Sequence, residues 1–337
     1  MKTGFFDLFP TPKFLEMPAP GLAVSEKALR LIEFKEGKHG YILSKADALQ
    51  FTQPFFSEGN IANPQELVAL LETFRKKNDL HYIRTSLPEE RAYLFSTVVP
   101  DLSGDELRAS IESTIEENVP LSVSEAVFDY TIIAKQDFQG RPGLKVTVSV
   151  LPEKVVSEYL DIFRAAGFEP LHFEIESQAI TKAVVPRQDS RVCLIVNLSF
   201  GKSGFYISDG GAVSFTATQP TSLWADATLK AEAGFAFSKP GPLKEIGDEI
   251  RKIFLYWQTQ ADQKNEKARP ITHIVLTGEA AGIEGLPEAL ASVFGVSAAI
   301  ADVWQNVFSL HDYIPEISKK DSLSFAAAVG LALPHQA

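Results

Sequence analysis

One cysteine, Cys193, stands in 337 residues, so no intramolecular disulfide can form. It sits inside the apolar run RVCLIVNL, where the expected role is a buried strand residue. No run of 18 apolar residues occurs, which excludes a helix that spans a bilayer by itself. The opening MKTGFFDLFPTPKF has no long apolar stretch before a small-residue cleavage site, so a secretory signal is not expected and the chain is placed in the cytoplasm. Basic residues are few: 32 Lys and Arg face 43 Asp and Glu, a formal charge of −11. The densest basic spot, Arg75-Lys76-Lys77, ends a helix-like stretch and is better suited to a helix C-terminus than to a phosphate backbone, which argues against direct nucleic-acid binding.

Catalytic signatures are also missing. The six histidines (39, 81, 172, 273, 311 and 335) never fall three or four residues apart, so with one Cys no zinc site is expected. No G-x-S-x-G nucleophile elbow and no G-x-G-x-x-G dinucleotide turn occurs. Gly201-Lys202-Ser203 has the tail of a phosphate loop, but the opening glycine would fall on Val196, so an ordinary hairpin turn is the better reading.

What is present is an ordinary globular balance, 45% hydrophobic and 22% charged, in a chain long enough for two or three domains. Residues 5 to 20 carry four prolines and the aromatics Phe5, Phe6, Phe9 and Phe14 without a period, which reads as an extended arm packed on a surface. GLAVS, ALRLIEF and GYILSKA then form a meander of short strands. A helix follows, opened by Pro64 and carrying Leu67, Leu70, Leu71 and Phe74, and then the strand HYIRTSL. From Pro88 to about Gly143 a small α/β unit is expected, with Ser103 as a helix cap and Leu107, Ile111 and Ile115 turned inward.

LKVTVSVL reads as a strand and EKVVSEYLDIFRAAG as an amphipathic helix closed by Gly167. VCLIVNLS, KSGFYISDG and GAVSFTAT repeat the opening meander about 170 residues later, which implies two similar α/β domains. LKEIGDEIRKIFLYWQTQADQ has a helical apolar stripe of Ile246, Ile250, Ile253, Phe254 and Trp257. A strand ITHIVLTG, a helix GLPEALASVFG, a strand VSAAIAD and a small-residue helix SLSFAAAVGLAL close the plan. The expected division is an arm over 1–20, a first domain over 21–87 and 149–188, an inserted unit over 88–148, and a second domain over 189–225 and 271–337 with a helical region over 226–270.

The stretches 21–34, ENVPLSVSEAVFDYTII (117–133), 149–183, IVLTGEAAGIEGLPEAL (274–290) and 322–333 together resemble the PilM-type type IV pilus assembly proteins, relatives of the actin-like FtsA. The Asn-Val-Pro-Leu-Ser and Phe128-Asp129-Tyr130 stretch is the most specific, because it resembles the subdomain that FtsA and PilM insert in place of an actin subdomain. The fold implied is α/β: an actin-like (ribonuclease H-like) duplicated two-domain fold with an inserted FtsA-type small α/β subdomain.

The resemblance also locates a nucleotide site, with departures. The pattern G-I-D-I-G-S falls on residues 21 to 26, where Ala23 replaces the acid, Ser25 replaces a glycine and Glu26 brings an anion. The pattern V-D-I-G falls on 196 to 199, with Asn197 for the acid and Ser199 for the glycine. At the nucleoside turn L-S-G-G-G-A, Gly278 survives and Glu279 and Ala280 do not match. The interdomain acid corresponds to Glu174, with Glu176 close behind. With no carboxylate at 23 or 197 to organise magnesium, no cofactor is expected and ATP with magnesium is disfavoured. In the resembled family a groove beside the inserted subdomain captures the N-terminal tail of PilN, a bitopic inner-membrane protein. Leu107, Ile111, Ile115, Val119 and Leu121 are the candidate groove residues, the alternative being that they form the subdomain's own core. The resemblance thus implies a cytoplasmic scaffold, with the pilus assembly motor as a second partner. Since the last residues, GLALPHQA, carry no basic amphipathic helix, recruitment to the inner membrane through a partner is expected. An ATP-switched protein and a filament-forming actin homologue remain alternatives.

Overall fold

The computed structural model describes residues 19–37, 40–53, 55–57, 59–199, 201–221, 237, 240–263 and 269–333. The arm expected over 1–20 lies outside the described residues apart from Ala19 and Pro20, as do His39, His335 and most of 222–239.

The meander at the start folds into β1 (Gly21–Val24), β2 (Ala28–Gly37) and β3 (Gly40–Gln50), each antiparallel to the next. A two-strand ribbon, β4 (Phe56–Ser57) and β5 (Asn60–Ile61), leads into α1 (Pro64–Asn78). Pro64 supplies the fixed φ of a first turn, and Arg75, Lys76 and Lys77 occupy the last, where cations complement the helix dipole. Leu67, Leu71 and Phe74 face inward, and β6 (Tyr82–Leu87) then pairs parallel to β1. After the insertion, α4 (Glu153–Ala165) crosses back to β10 (Glu169–Ile175), which pairs parallel to β6. The sheet order is β10-β6-β1-β2-β3.

The second sheet repeats this plan with β11 (Val192–Ser199), β12 (Lys202–Asp209), β13 (Ala212–Pro220), β14 (Ile271–Thr277) and β15 (Ser297–Ile300) in the order β13-β12-β11-β14-β15. Its meander is antiparallel, and its last two strands run parallel to the first, matching the first sheet pair by pair. The crossover helices are α6 (Pro242–Gln263) and α7 (Leu286–Phe294). Ile246, Ile250 and Ile253 of α6 are buried in the same core as the sheet, so this helix is part of the second domain's layer rather than a separate body. Each domain ends on a helix: α5 (Glu176–Val184) in the first, and α9 (Ala326–Ala332) in the second, reached through the short α8 (Lys319–Ser322). Small residues let α5 and α9 pack backbone to backbone at the seam.

Between β6 and α4 stands the inserted subdomain, with β7 (Tyr93–Pro100), α2 (Gly104–Glu112), α3 (Ile115–Asn118), β8 (Ala126–Phe138) and β9 (Arg141–Pro152). Its sheet order is β7-β9-β8, so β8 is an edge. Ser103 occupies the cap position of α2 without making a side-chain cap bond. The helices cover one face of this sheet. Leu107, Ile111, Ile115 and Val119 are 3%, 0%, 0% and 7% exposed and pack on Val99, Leu144, Val146 and Val148. These four are therefore the subdomain's core and are closed to a partner, while Leu121 is half-buried at its margin.

Cys193 is buried on β11, and loss of water raises its thiol to about 11. It is expected to resist aromatic disulfide reagents in the native protein at mildly alkaline pH and to react fully in denaturant, which a colorimetric thiol assay reads.

Candidate functional site

Among the described residues, a groove beside the inserted subdomain and the cleft between the domains each bring polar and apolar groups together. The groove has a volume of about 560 Å³. One wall is the uncovered face of the inserted sheet. Strand register sets Val127 against Leu151, Asp129 against Ser149, and Thr131 against Thr147, and all six line the groove. The pairs alternate with the core residues Phe128, Val146, Val148 and Val150, as the two-residue period of a strand requires. The opposite wall is β10 (residues 172 to 175) with Gln178, Thr181 and Lys182 of α5, and the β12–β13 turn, Gly210 and Gly211, closes one end. Gln178 Nε2 donates to Ser149 Oγ at 2.8 Å across the floor. Both β8 and β10 are the outer strands of their sheets, and Val127 remains 42% exposed. Two strand edges thus flank one partly apolar trough, an arrangement that suits an extended peptide.

Glu174 belongs here and not in the cleft. Its Oε2 lies 2.6 Å from Lys182 Nζ nearly two helical turns into α5, and both residues line the groove. The acid that enters the cleft is Glu176, at the start of α5.

In the cleft the other expected residues sit on the facing turns. Ser25 closes its own hairpin, its N and Oγ both donating to the Ala28 carbonyl (2.9 and 3.1 Å). Asn197 Oδ1 accepts from Ser199 Oγ at 2.9 Å, and Ala23 is packed into the core. Gly278 has φ +89°, and a Cβ there would fall 2.6 Å from Asn197 Oδ1, so glycine is required where the third turn meets the second. Glu279 forms an ion pair with Arg30 of β2.

The centre of the cleft holds residues that the sequence reading missed. Lys202 Nζ, from the first residue of β12, lies 2.7 Å from Glu90 Oε1 and 3.0 Å from Glu176 Oε2. Burial opposes its charge, but Glu176 and Glu90 hold the ammonium well above its ordinary pKa. Glu89, beside Glu90 in the single turn Glu89–Arg91, accepts from Ser177 N and Oγ at 2.9 and 3.0 Å and so caps α5. Burial raises the Glu89 carboxyl to about 7 despite these bonds. Glu26 is also raised by burial, with Glu90 and Glu176 adding to the effect. A cavity of about 650 Å³ opens next to this cluster, lined by Glu26, Glu90, Arg91 and Lys202. One signal for Lys202 was present in the sequence: a lysine heading the apolar run KSGFYIS must be buried if the strand is central, and a buried lysine needs a carboxylate.

A Cβ on Gly201 would lie 3.6 Å from Glu26 Oε2 and 3.5 Å from Lys27 Cε, so side chains of the first hairpin already reach the second. Glu26, Glu89, Glu90 and Glu176 gather around Lys202 at this point, with Lys27 and Arg91 beside them.

A family of sequences described as type IV pilus assembly protein PilM matches residues 21–211. The chain belongs to the PilM family. The matched span holds the first domain, the inserted subdomain, α5 and the β11–β12 hairpin, and therefore both groove walls and the Lys202 cluster. Among solved structures, the PilM-PilN type IV pilus biogenesis complex aligns with TM-score 0.72 at 19% identity, covering 94% of this chain and 98% of that one. The ethanolamine utilization protein EutJ from Carboxydothermus hydrogenoformans aligns at TM-score 0.47 and 10% identity over 93% of this chain and 88% of that one. The cytoplasmic domain of EpsL, an inner-membrane component of the Vibrio cholerae type II secretion system, gives 0.44 and 12% over 91% and 92%. No curated protein matches the chain. The duplicated sheets and the PilM-family match make the fold actin-like, as expected, and among the described residues no helix is long and apolar enough to cross a membrane.

Proposed function

We propose that this PilM-family protein is a cytoplasmic scaffold of a type IV pilus, or of a related secretion or competence platform, and that its groove holds the N-terminal tail of a PilN-like inner-membrane protein. The observation that carries the reading is the trough between the edges of β8 and β10. A tail entering as an extended chain would meet unpaired strand edges on either side and an apolar shelf of Val127 and Leu151 at one end. Support comes from the similarity in fold to a PilM structure described as a complex with PilN. Work in this reading is done by binding: the cleft is set up for internal ion pairs rather than for hydrolysis, and attachment to the membrane runs through the partner.

The test is fluorescence anisotropy with a labelled synthetic peptide of the partner's cytoplasmic tail. Micromolar, saturable binding is expected. Val127→Asp, on the open side of an edge strand, should weaken it at least about tenfold, the cost of placing a charge against a buried apolar residue. Glu106→Ala, on the solvent face of α2, should leave it unchanged. Absence of binding by the wild-type protein at high micromolar peptide would remove the proposal.

A further inference from the structure

We propose that Lys202 is a built-in counterion that keeps the two domains closed without a nucleotide, and that this closure holds α5 in the position that shapes the tail groove. The second clause rests on the scaffold reading above; the first stands on the cleft alone.

The carboxylates around Lys202 all come from the first domain, on three segments separate in sequence: Glu26 in the β1–β2 turn, Glu89 and Glu90 after β6, and Glu176 at the start of α5. The ammonium is the second domain's sole charged contribution to this cluster among the described residues. Side-chain exposures of 10% for Lys202, 16% for Glu90 and 12% for Glu176 keep these pairs away from solvent screening. A second pair crosses the cleft with the opposite polarity, from Arg30 of the first domain to Glu279 of the second, and both side chains are nearly buried. One link lies at the hairpin turns and the other at the turn after β14. Those are the two ends at which a bound nucleotide would bridge the domains, and here the chain's own ions bridge them.

The link to the groove is α5. Glu176, its first residue, is held by Lys202, and Ser177, its second, is capped by Glu89. The next two turns present Gln178, Thr181 and Lys182 to the groove. Loss of the Lys202 contact frees the end of the helix that forms one groove wall, and it also releases the second domain, whose β12–β13 turn bounds the groove.

The experiment measures the distance between spin labels at Lys76→Cys on α1 and Lys252→Cys on α6, both on exposed side chains of different domains. Wild-type protein should give one narrow distribution that Mg-ATP does not change. Lys202→Met alone leaves buried carboxylates uncompensated and can unfold the chain. The informative variant is therefore Lys202→Met/Glu90→Gln/Glu176→Gln, which removes the charges together, with Lys202→Arg as the conservative control. The triple variant should melt cooperatively, show a broadened and longer distance distribution, and bind the tail peptide at least fivefold more weakly, while Lys202→Arg stays near wild type. An unchanged distribution in the triple variant overturns the lock. A saturable shortening of the wild-type distance with Mg-ATP also overturns it, because closure would then need nucleotide. A broadened distribution with unchanged tail affinity overturns the coupling to the groove. If the wild type binds no tail, the scaffold reading falls and the distances still decide the lock.

Discussion

Gly330→Ala is expected to destabilise the protein by about 3 kcal/mol or more, enough to lower the melting temperature by several degrees. By helix propensity alone the substitution should help, since alanine is favoured over glycine in a helix interior by about 1 kcal/mol. Packing opposes it. A Cβ at position 330 would lie 1.7 Å from the carbonyl oxygen of Ala179 in α5 and 2.5 Å from its carbon. Normal contact needs roughly twice that separation, and the obstacle is backbone, so no rotamer change relieves it. Nor can α9 retreat: on its other side a Cβ at Gly21 of β1 would fall 2.2 Å from the Ala328 oxygen. The helix is confined between α5 and β1, and moving it strains both domains through a shared core. Urea denaturation of the two proteins measures the difference; a stability equal to wild type would mean that the helices can slide apart, and the tight-seam account would be wrong.

That seam was legible in the sequence because small residues cluster in SLSFAAAVGLAL, and the duplicated plan was legible because each meander repeats strand, turn and strand. The groove was not. A helical period of Leu107, Ile111 and Ile115 says that one face is buried but not against what, and the face proves to be covered by its own sheet. The groove lies on the reverse of that sheet, where Thr131, Thr147 and Ser149 read in sequence as an ordinary solvent side. Glu174 and Glu176 illustrate a related limit: two residues apart, they part company because one lies within a strand and the other starts a helix. Lys202 was passed over for a third reason. Its partners Glu90 and Glu176 are 112 and 26 residues away, and only the closed arrangement of two domains brings them together.

The second large effect concerns pH. Between about pH 5 and pH 8 the wild-type protein is expected to lose up to about 3 kcal/mol of stability through Glu89. Its carboxyl titrates near 7 when folded, against an ordinary 4.5, because it is buried; the bonds from Ser177 only partly offset that cost, and Glu176 adds to it. A folded value above the unfolded one means that the folded protein holds the proton more tightly. The stabilisation is complete below the unfolded value and is lost as pH rises through about 7. Lys202 does not cancel the slope, since its folded pKa is raised and its contribution fades only in the alkaline range. Glu26, raised by burial, acts in the same direction as Glu89. The solvent-facing carboxylates with lowered values, such as Glu72 beside Lys76, change only at acid pH and are screened by solvent. Glu89→Gln keeps an acceptor for Ser177 N and removes the titration, so its stability should vary much less over this range and should equal or exceed wild type at pH 8. Urea unfolding of both proteins across the range gives the comparison. Parallel curves would show that Glu89 stays charged in its buried site, with Lys202 close enough to compensate it fully, and the charge balance assigned to the cleft would have to be redrawn.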